Sequence, residues 1–397
     1  MPHLRLRFAA QYIEKLAKLW PVVGVVGLRQ SGKTTLMRSL FQVNSVMSFD
    51  DLTLREEAIK SPRLFLEKLT PPVVLDEVQK APPLFDAIKM KVDEQRIPGS
   101  YFITGSSAFS AKIGIRESLT GRIGVVELFP LSLAEMHDQP MRFINSLAAP
   151  LSDNAPKPRF HFTALAKATL TGGMPIPAFL RDSSQRDLYW RSWLETSILR
   201  DLARHFPRGF NPDFAFSVLE QMALILQRGE LPTLKHFTGT ARKIRLYLSA
   251  LEDIFILRKI NCHGAGIGKE IWLFTDSGLA TYLMGAFMGE GVTLSLLRQF
   301  IWNEICVQAE YQGRRLTRQY YKSAQGSPID FIIDNTPFRI VANPSTLIHQ
   351  RHWEERALRG AMKKLSAPNG YLIAPVDHAE LPTQAGEIGV LPWTAWS

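Results

Sequence analysis

Two short runs carry residue types suited to phosphate chemistry. In the first, Gly27-Leu28-Arg29-Gln30-Ser31-Gly32-Lys33-Thr34 fills every fixed position of G-x-x-x-x-G-K-S/T. Gly27 and Gly32 allow backbone angles that a Cβ forbids, so successive N–H groups can turn onto one anion. Gln30, Ser31 and Thr35 line the same cradle. Lys33 is expected to reach β- and γ-phosphates, and the Thr34 hydroxyl to ligate Mg²⁺. In the second run, Val73-Val74-Leu75-Asp76-Glu77, an apolar stretch ends in two carboxylates. Asp76 is the expected holder of the Mg²⁺ water shell, and Glu77 the group that orients and polarises an attacking water. Alone, such a run reads as a strand ending in two solvated acids. Downstream of the first run it reads as a Walker B pattern.

A third run, Tyr101-Phe102-Ile103-Thr104-Gly105-Ser106-Ser107, ends in small polar residues. Thr104 or Ser106 is expected to touch the γ-phosphate or the lytic water; the alternative is an ordinary Ser/Gly turn. In Ser118-Leu119-Thr120-Gly121-Arg122, Arg122 could neutralise γ-phosphate charge in its own subunit or a neighbour's. A structural salt bridge is the other reading. No guanine-reading N-K-x-D segment occurs, which favours adenine. The expected ligands are ATP and Mg²⁺.

Positioning these residues takes a parallel α/β sheet. Pro21 to Val26 is a short β-branched run of the kind buried on both faces, and Thr35 to Leu40 continues at helical spacing. Ser45 to Asp51 reads as a strand ending in acids. Leu52 to Leu69 is charged and helical, with Pro62 opening a second helix. Lys89 to Gln95 continues a surface helix.

The chain has 397 residues, enough for two or three domains, with 46% hydrophobic content and a formal charge of +10. That charge favours polyanionic partners: nucleotide, nucleic acid or an anionic surface. There is no internal repeat, and no apolar run is long enough to span a bilayer; the nearest, Ile271 to Gly289, is interrupted by Asp276. The basic, amphipathic first twenty residues lack an apolar signal core and read as a first helix. Two cysteines, Cys262 and Cys306, lie outside any ligand spacing and suit buried thiols in a reducing cytoplasm.

Met136 to Pro158 is an irregular candidate linker, and Ala164 to Phe206 a helical connector of mixed charge. Beyond it come a helix (Phe214 to Gln227), a short helix (Thr233 to Phe237), a turn at Gly239, a longer helix (Ala241 to Phe255) and two apolar strands. That is a winged-helix order. In a DNA-reading version the third helix enters the major groove, offering Arg242, Lys243 and Arg245 with Lys235 nearby. A packing or oligomer module is the alternative. The tail from Ala374 to Ser397 is apolar enough to pack as a final strand.

GLRQSGKTTL, VVLDEVQKAP, YFITGSS, SLTGRI and ELFPLSLAE together resemble the AAA-type ATP-binding proteins of bacteria and archaea that carry a C-terminal domain of uncharacterised function. Gly172-Gly173-Met174-Pro175, Ile198-Leu199-Arg200-Asp201-Leu202 and Asp276-Ser277-Gly278-Leu279 extend the resemblance over about Leu16 to Leu365. The resemblance implies the same winged helix, then a restriction-endonuclease-like core. In such a core Glu304 matches the helix acid and Asp330 the strand acid. Where E-x-K would follow, Val341-Ala342-Asn343 stands, so nuclease chemistry is not expected.

The expected architecture is therefore α/β: a P-loop AAA-type domain (1–135), a linker and helical connector (136–208), a winged helix (209–285) and a degenerate nuclease-like domain (286–397). The expected function is an ATP-dependent switch or motor coupled to a macromolecular partner. Double-stranded DNA is the leading partner, homo-oligomerisation is expected by analogy, and no membrane is involved. An ATP-gated protein-interaction scaffold without nucleic acid is the alternative.

Overall fold

The computed structural model describes residues 5–40, 45–107, 119–140, 159–206, 208–285, 292–314, 317–324, 328–341, 344–376, 379–380, 384 and 386–394. Ser118, Ala342 and Asn343 of the sequence reading, and most of the expected linker, lie outside the described residues. The chain divides into two compact units, one made chiefly of His3–Pro130 and the other of Leu131–Glu252 and Ile256–Ser397.

The first unit runs α1 (Ala9–Leu19), β1 (Val22–Val26), α2 (Lys33–Leu40), β2 (Ser45–Ser48), α3 (Leu52–Lys60), α4 (Pro62–Glu67), β3 (Val73–Asp76), α5 (Pro83–Glu94), β4 (Tyr101–Gly105) and β5 (Ile123–Glu127). The five strands are all parallel, in the order β2-β3-β4-β1-β5. β1, β3 and β4 are buried along their whole length, which is why they read as unbroken apolar runs. β5 is an edge strand and alternates between buried and open positions. A Cβ on its Gly124 would come within 2.6 Å of the Trp20 ring, so glycine there lets α1 lie against the sheet. Phe49, Phe65, Phe85, Ile88 and Ile103 centre a core between the sheet and its helices.

Register aligns the ends of the strands. Ser48 pairs with Asp76, Leu75 with Ile103, and Val26 with Gly105. The last residues of β2, β3, β4 and β1 therefore form one row along the C-terminal edge, where open parallel sheets place their ligands.

The second unit begins earlier than expected. The Leu131 N–H donates to the Gly173 carbonyl at 2.7 Å, tying this stretch to later chain. It runs α6 (Leu133–Met136), α7 (Phe162–Thr171), α8 (Ser183–Thr196), α9 (Pro212–Gln227), α10 (Ala241–Asp253), β6 (Leu257–Cys262), β7 (Ile271–Phe274), α11 (Ser277–Met284), α12 (Leu294–Tyr311), β8 (Gln319–Tyr321), β9 (Ile329–Ile333), β10 (Thr336–Ile340), α13 (Pro344–Leu365), β11 (Gly370–Ala374) and β12 (Ile388–Pro392). The helical reading of Ala164 to Phe206 breaks at Gly172, whose φ of 70° ends α7. Its far end, Ser197–Asp201, is a π-helical turn followed by a 3₁₀ turn.

The seven strands form one sheet in the order β12-β11-β10-β9-β8-β6-β7. β6 pairs with β7 through Leu257 to Ile260, then with β8 through Asn261 and Cys262. The sheet thus runs across the boundary expected at 285/286, because β8 covers a strand edge that would otherwise lie unpaired. The expected tail strand is β12, parallel to β11. Cys306 is buried but Cys262 is only half-buried, which corrects the expectation of two buried thiols. Among the described residues, no helix is long and apolar enough to cross a membrane.

Candidate phosphate-binding site at the sheet edge

The loop between β1 and α2 is built from unusual backbone angles: φ is 147° at Gly27, 61° at Gln30 and 96° at Gly32. A Cβ at Gly27 would sit 2.3 Å from the Leu128 carbonyl oxygen, so only glycine fits. Gln30 holds a left-handed angle that costs a side-chain-bearing residue about 1–3 kcal/mol and that clusters at ligand sites. Lys33 is buried, and its ammonium donates to the carbonyls of Gly27 at 3.0 Å and Leu28 at 2.8 Å. The ammonium is thereby fixed over the loop. Lys33, Thr34 and Thr35 form the first turn of α2, whose N–H end carries partial positive charge. The Ser31 hydroxyl is buried with no partner among the described residues.

Three hydroxyls converge on Asp76. Thr34 Oγ1 donates to Oδ1 at 2.7 Å, Thr104 Oγ1 to the same oxygen at 2.5 Å, and Ser48 Oγ to Oδ2 at 3.1 Å. The strand row described above makes this possible: Ser48 ends β2, Asp76 ends β3, and Thr104 is the penultimate residue of β4. A carboxylate beside a P-loop hydroxyl is a hard-oxygen set suited to Mg²⁺, which keeps several waters and takes few protein ligands. No group of three or more His, Cys, Asp or Glu side chains placed to hold a metal occurs among the described residues.

Glu77 follows at a left-handed φ of 55°. Its N–H donates to Thr104 Oγ1 at 3.3 Å. Its carboxylate accepts from Gln79 Nε2 at 2.6 Å and from Ser106 Oγ at 3.1 Å, and Gln79 Nε2 also lies 3.3 Å from Ser106 Oγ. These three side chains close a triangle that holds the carboxylate. Gln79 Oε1 is buried with no partner among the described residues.

The structure thus brings Lys33, Thr34, Asp76, Glu77, Thr104 and Ser106 to one edge. Ser48 and Gln79 were not foreseen. Ser48 was findable as the last polar residue of the strand pairing with β3. Gln79 was not, because only the 3₁₀ turn Val78–Lys80 swings it back onto Glu77.

Arg122 stands elsewhere. It precedes β5, and its carbonyl accepts from the Val22 N–H at 3.2 Å, so it lies where the parallel strands begin. The P-loop follows β1 where they end, about 16 Å away at roughly 3.3 Å per residue. Its guanidinium grips Asp93 through two bonds of 2.6 and 2.8 Å, and the arginine beside Asp93 holds that carboxyl below its usual range. A γ-phosphate role within its own subunit is therefore corrected to a surface ion pair. The reason is strand direction.

The acids expected from a nuclease core have different partners. Asp330 is ion-paired to Arg298 and accepts from the Ile340 N–H at 2.7 Å. Glu304 is buried and accepts from the Leu133 N–H at 3.0 Å, beside the Ser132–Glu135 capping box at the start of α6. Burial, with a smaller contribution from Glu135, pushes its carboxyl up to about 8.

Two of the other motifs, Gly172-Gly173-Met174-Pro175 and Asp276-Ser277-Gly278-Leu279, meet in one hydrogen-bond cluster. Asp276 is buried and accepts from the N–H groups of Gly173 (2.8 Å), Met174 (3.1 Å), Gly278 (2.8 Å) and Leu279 (3.2 Å). Burial pushes this carboxyl up to about 6 against the four donors that hold it down. Glycine is required around it, since a Cβ at Gly173 would lie 2.1 Å from the Leu131 carbonyl oxygen.

Residues 20–137 match a family profile described as an AAA domain, and residues 162–289 one described as a domain of unknown function, DUF8612. Two proteins described as uncharacterized, from Mycobacterium bovis and Mycobacterium tuberculosis, are each 29% identical over 296 residues, 70% of this chain and 59% of theirs. The chain therefore spans less than two thirds of the length of these curated relatives. A Walker-type ATPase of Pyrococcus abyssi is 14% identical, with 69% of this chain and 94% of that one covered and a TM-score of 0.42. The Orc1 protein of Aeropyrum pernix, solved in complex with DNA, is 14% identical over 72% of this chain and 94% of its own, with a TM-score of 0.32. The AAA match falls on the parallel sheet and P-loop. The chain is accordingly an α/β protein with an AAA-type P-loop domain, followed by a second unit of helices and a seven-stranded sheet.

Proposed function

We propose that this chain binds ATP with Mg²⁺ and hydrolyses it, and that the nucleotide state governs engagement of a macromolecular partner, with double-stranded DNA the leading candidate. The observation that carries the reading is the convergence of Thr34, Ser48 and Thr104 on Asp76 beside the buried Lys33. In this reading, N–H groups from Gln30 to Thr35 cradle the phosphates and Lys33 reaches the β- and γ-phosphates. Thr34 and Asp76 would hold a magnesium ion, which when bound neutralises phosphate charge. Glu77 takes a proton from the attacking water. Ser106 and Gln79 fix its carboxylate, and Thr104 links Asp76 to the Glu77 backbone.

For the partner, the support is charge and order of elements. A helix, a 3₁₀ turn (Leu234–His236), α10 and the β6–β7 ladder follow one another, and an isolated bridge joins Thr233 to Ile271. We read these elements as a winged helix. α10 buries Ile244, Tyr247, Leu248 and Leu251 and leaves Arg242, Arg245, Leu246 and Ser249 outward. Lys243 is also exposed but lies over the Phe214 ring at 3.9 Å. We read the unit from α12 to β12 as the degenerate nuclease-like core, kept for binding or assembly.

ATP turnover is the test, measured with and without duplex DNA over a range of salt. Turnover that rises with DNA, with an effect that falls steeply as salt increases, is the expected result. Turnover indifferent to DNA at every salt would move the reading to an ATP-gated protein scaffold.

A further inference from the structure

The segment that precedes α1 reaches the P-loop. Arg7 Nη1 donates to the Ser31 carbonyl at 2.8 Å, and Nη2 to the Phe129 carbonyl at 2.5 Å. Arg7 stands outside the stretch that matches the AAA domain, which begins at residue 20. Its own carbonyl starts the first turn of α1 by accepting from the Ala10 N–H at 3.0 Å. α1 in turn is held against β5 by the Leu16 and Trp20 contacts over Gly124.

We propose that Arg7 is a positioning residue of the phosphate site, the outer clamp of the P-loop; this rests on the ATP reading above. Within one peptide the C=O and N–H point in opposite directions. Gripping the Ser31 oxygen from outside therefore turns the Gly32 N–H inward, to where a phosphate oxygen is bound. Gly32 holds a left-handed φ of 96°; its own carbonyl is tied into α2 by accepting from the Leu36 N–H at 2.9 Å, so Arg7 grips the peptide on its other side. The nearest atom to a Cβ built there is Arg7 Nη1, at 3.6 Å.

The second arm completes the clamp. Phe129 follows Leu128, whose N–H donates to the Val26 carbonyl at 2.7 Å and whose own carbonyl presses on Gly27. The backbone at 128–129 thus buttresses the start of the loop directly, and its end through Arg7. Arginine suits this task because its rigid fork serves two carbonyls at once, which a lysine ammonium on a flexible stem does not. The guanidinium also adds a positive charge next to the expected position of the phosphates.

The test compares wild type, Arg7→Ala, Arg7→Lys and Lys33→Ala in the full chain, using methylanthraniloyl-ATP with Mg²⁺ as the probe and inorganic tripolyphosphate as competitor. Loss of a charge-assisted bond predicts that Arg7→Ala binds the probe about tenfold more weakly, equivalent to about 1.4 kcal/mol. Tripolyphosphate, which has no base or sugar, should weaken by the same factor, and Arg7→Lys should recover only part of the loss. A staple that merely secures α1 would lower melting temperature and leave both affinities in place. Arg7→Ala within twofold of wild type, with Lys33→Ala failing to bind, overturns the clamp and leaves the ATP reading intact. A loss confined to the nucleotide and absent for tripolyphosphate also overturns it. Wild type that binds neither probe nor competitor overturns the ATP reading, and the clamp with it.

Discussion

Replacing Glu304 by glutamine should make the protein's stability less sensitive to pH. Glu304 sits in the interior of α12 and its carboxyl is pushed from 4.5 up to about 8, mainly by burial. A carboxyl raised in the fold is protonated there while the unfolded chain has already ionised. Its cost is absent below about pH 4.5, grows as pH rises, and levels off above about 8. At pH 7 that is two and a half units above the free value, about 3 kcal/mol at roughly 1.4 kcal/mol per unit. Glutamine keeps an oxygen to accept the Leu133 N–H and carries no ionisable proton. Any cost of fitting its second amide proton is the same at every pH. Asp276, which titrates in the same direction up to about 6, is present in both proteins and cancels.

The assay is urea unfolding followed by tryptophan fluorescence; of the eight tryptophans, all but Trp20 lie beyond residue 131. Between pH 5 and pH 8 the glutamine variant should gain about 3–4 kcal/mol relative to wild type. A difference between the two proteins that stays constant across that range would refute the burial of an uncharged Glu304.

Two other substitutions separate chemistry from scaffold. Gln79→Ala should leave ATP affinity within about twofold and lower turnover by about 10–100-fold, because the Glu77 carboxylate loses one of its two holders; parallel measurement of binding and steady-state hydrolysis checks this. Gly173→Ala should destabilise the second unit by about 2–5 kcal/mol, since its Cβ would fall 2.1 Å from a backbone oxygen. A melting temperature equal to wild type would contradict that reading.

The first unit was largely legible from the residue order. Its central strands β1, β3 and β4 are buried along their whole length, so each announces itself as an apolar run, and the P-loop has a fixed spacing. The place of Arg122 was hidden, because the strand that follows it, β5, is a half-open edge strand without an unbroken apolar run. Ser48, Gln79 and Arg7 were less visible because their roles come from register and from chain far away in sequence. Ser48 matters only because β2 lies beside β3, and Arg7 only because the chain ahead of α1 passes over the loop. The glycines of Gly172-Gly173 and the acid of Asp276 stood out as motifs without meaning, since their explanation is a shared hydrogen-bond cluster. For Glu304 and Asp330 the sequence offers only their positions in a resembling core. Their actual partners, the Leu133 N–H and Arg298, lie on other elements.

The central claim is that the row of side chains at the sheet edge performs ATP hydrolysis with Glu77 accepting the proton. Glu77→Gln tests it most directly, because the amide oxygen can still accept from Ser106 and Gln79 while the base is gone. Equilibrium binding of Mg²⁺-ATP and single-turnover hydrolysis are measured on the same preparations. The account predicts binding within about twofold of wild type and hydrolysis slower by about 10²–10⁴-fold. Hydrolysis unchanged in the variant would contradict it.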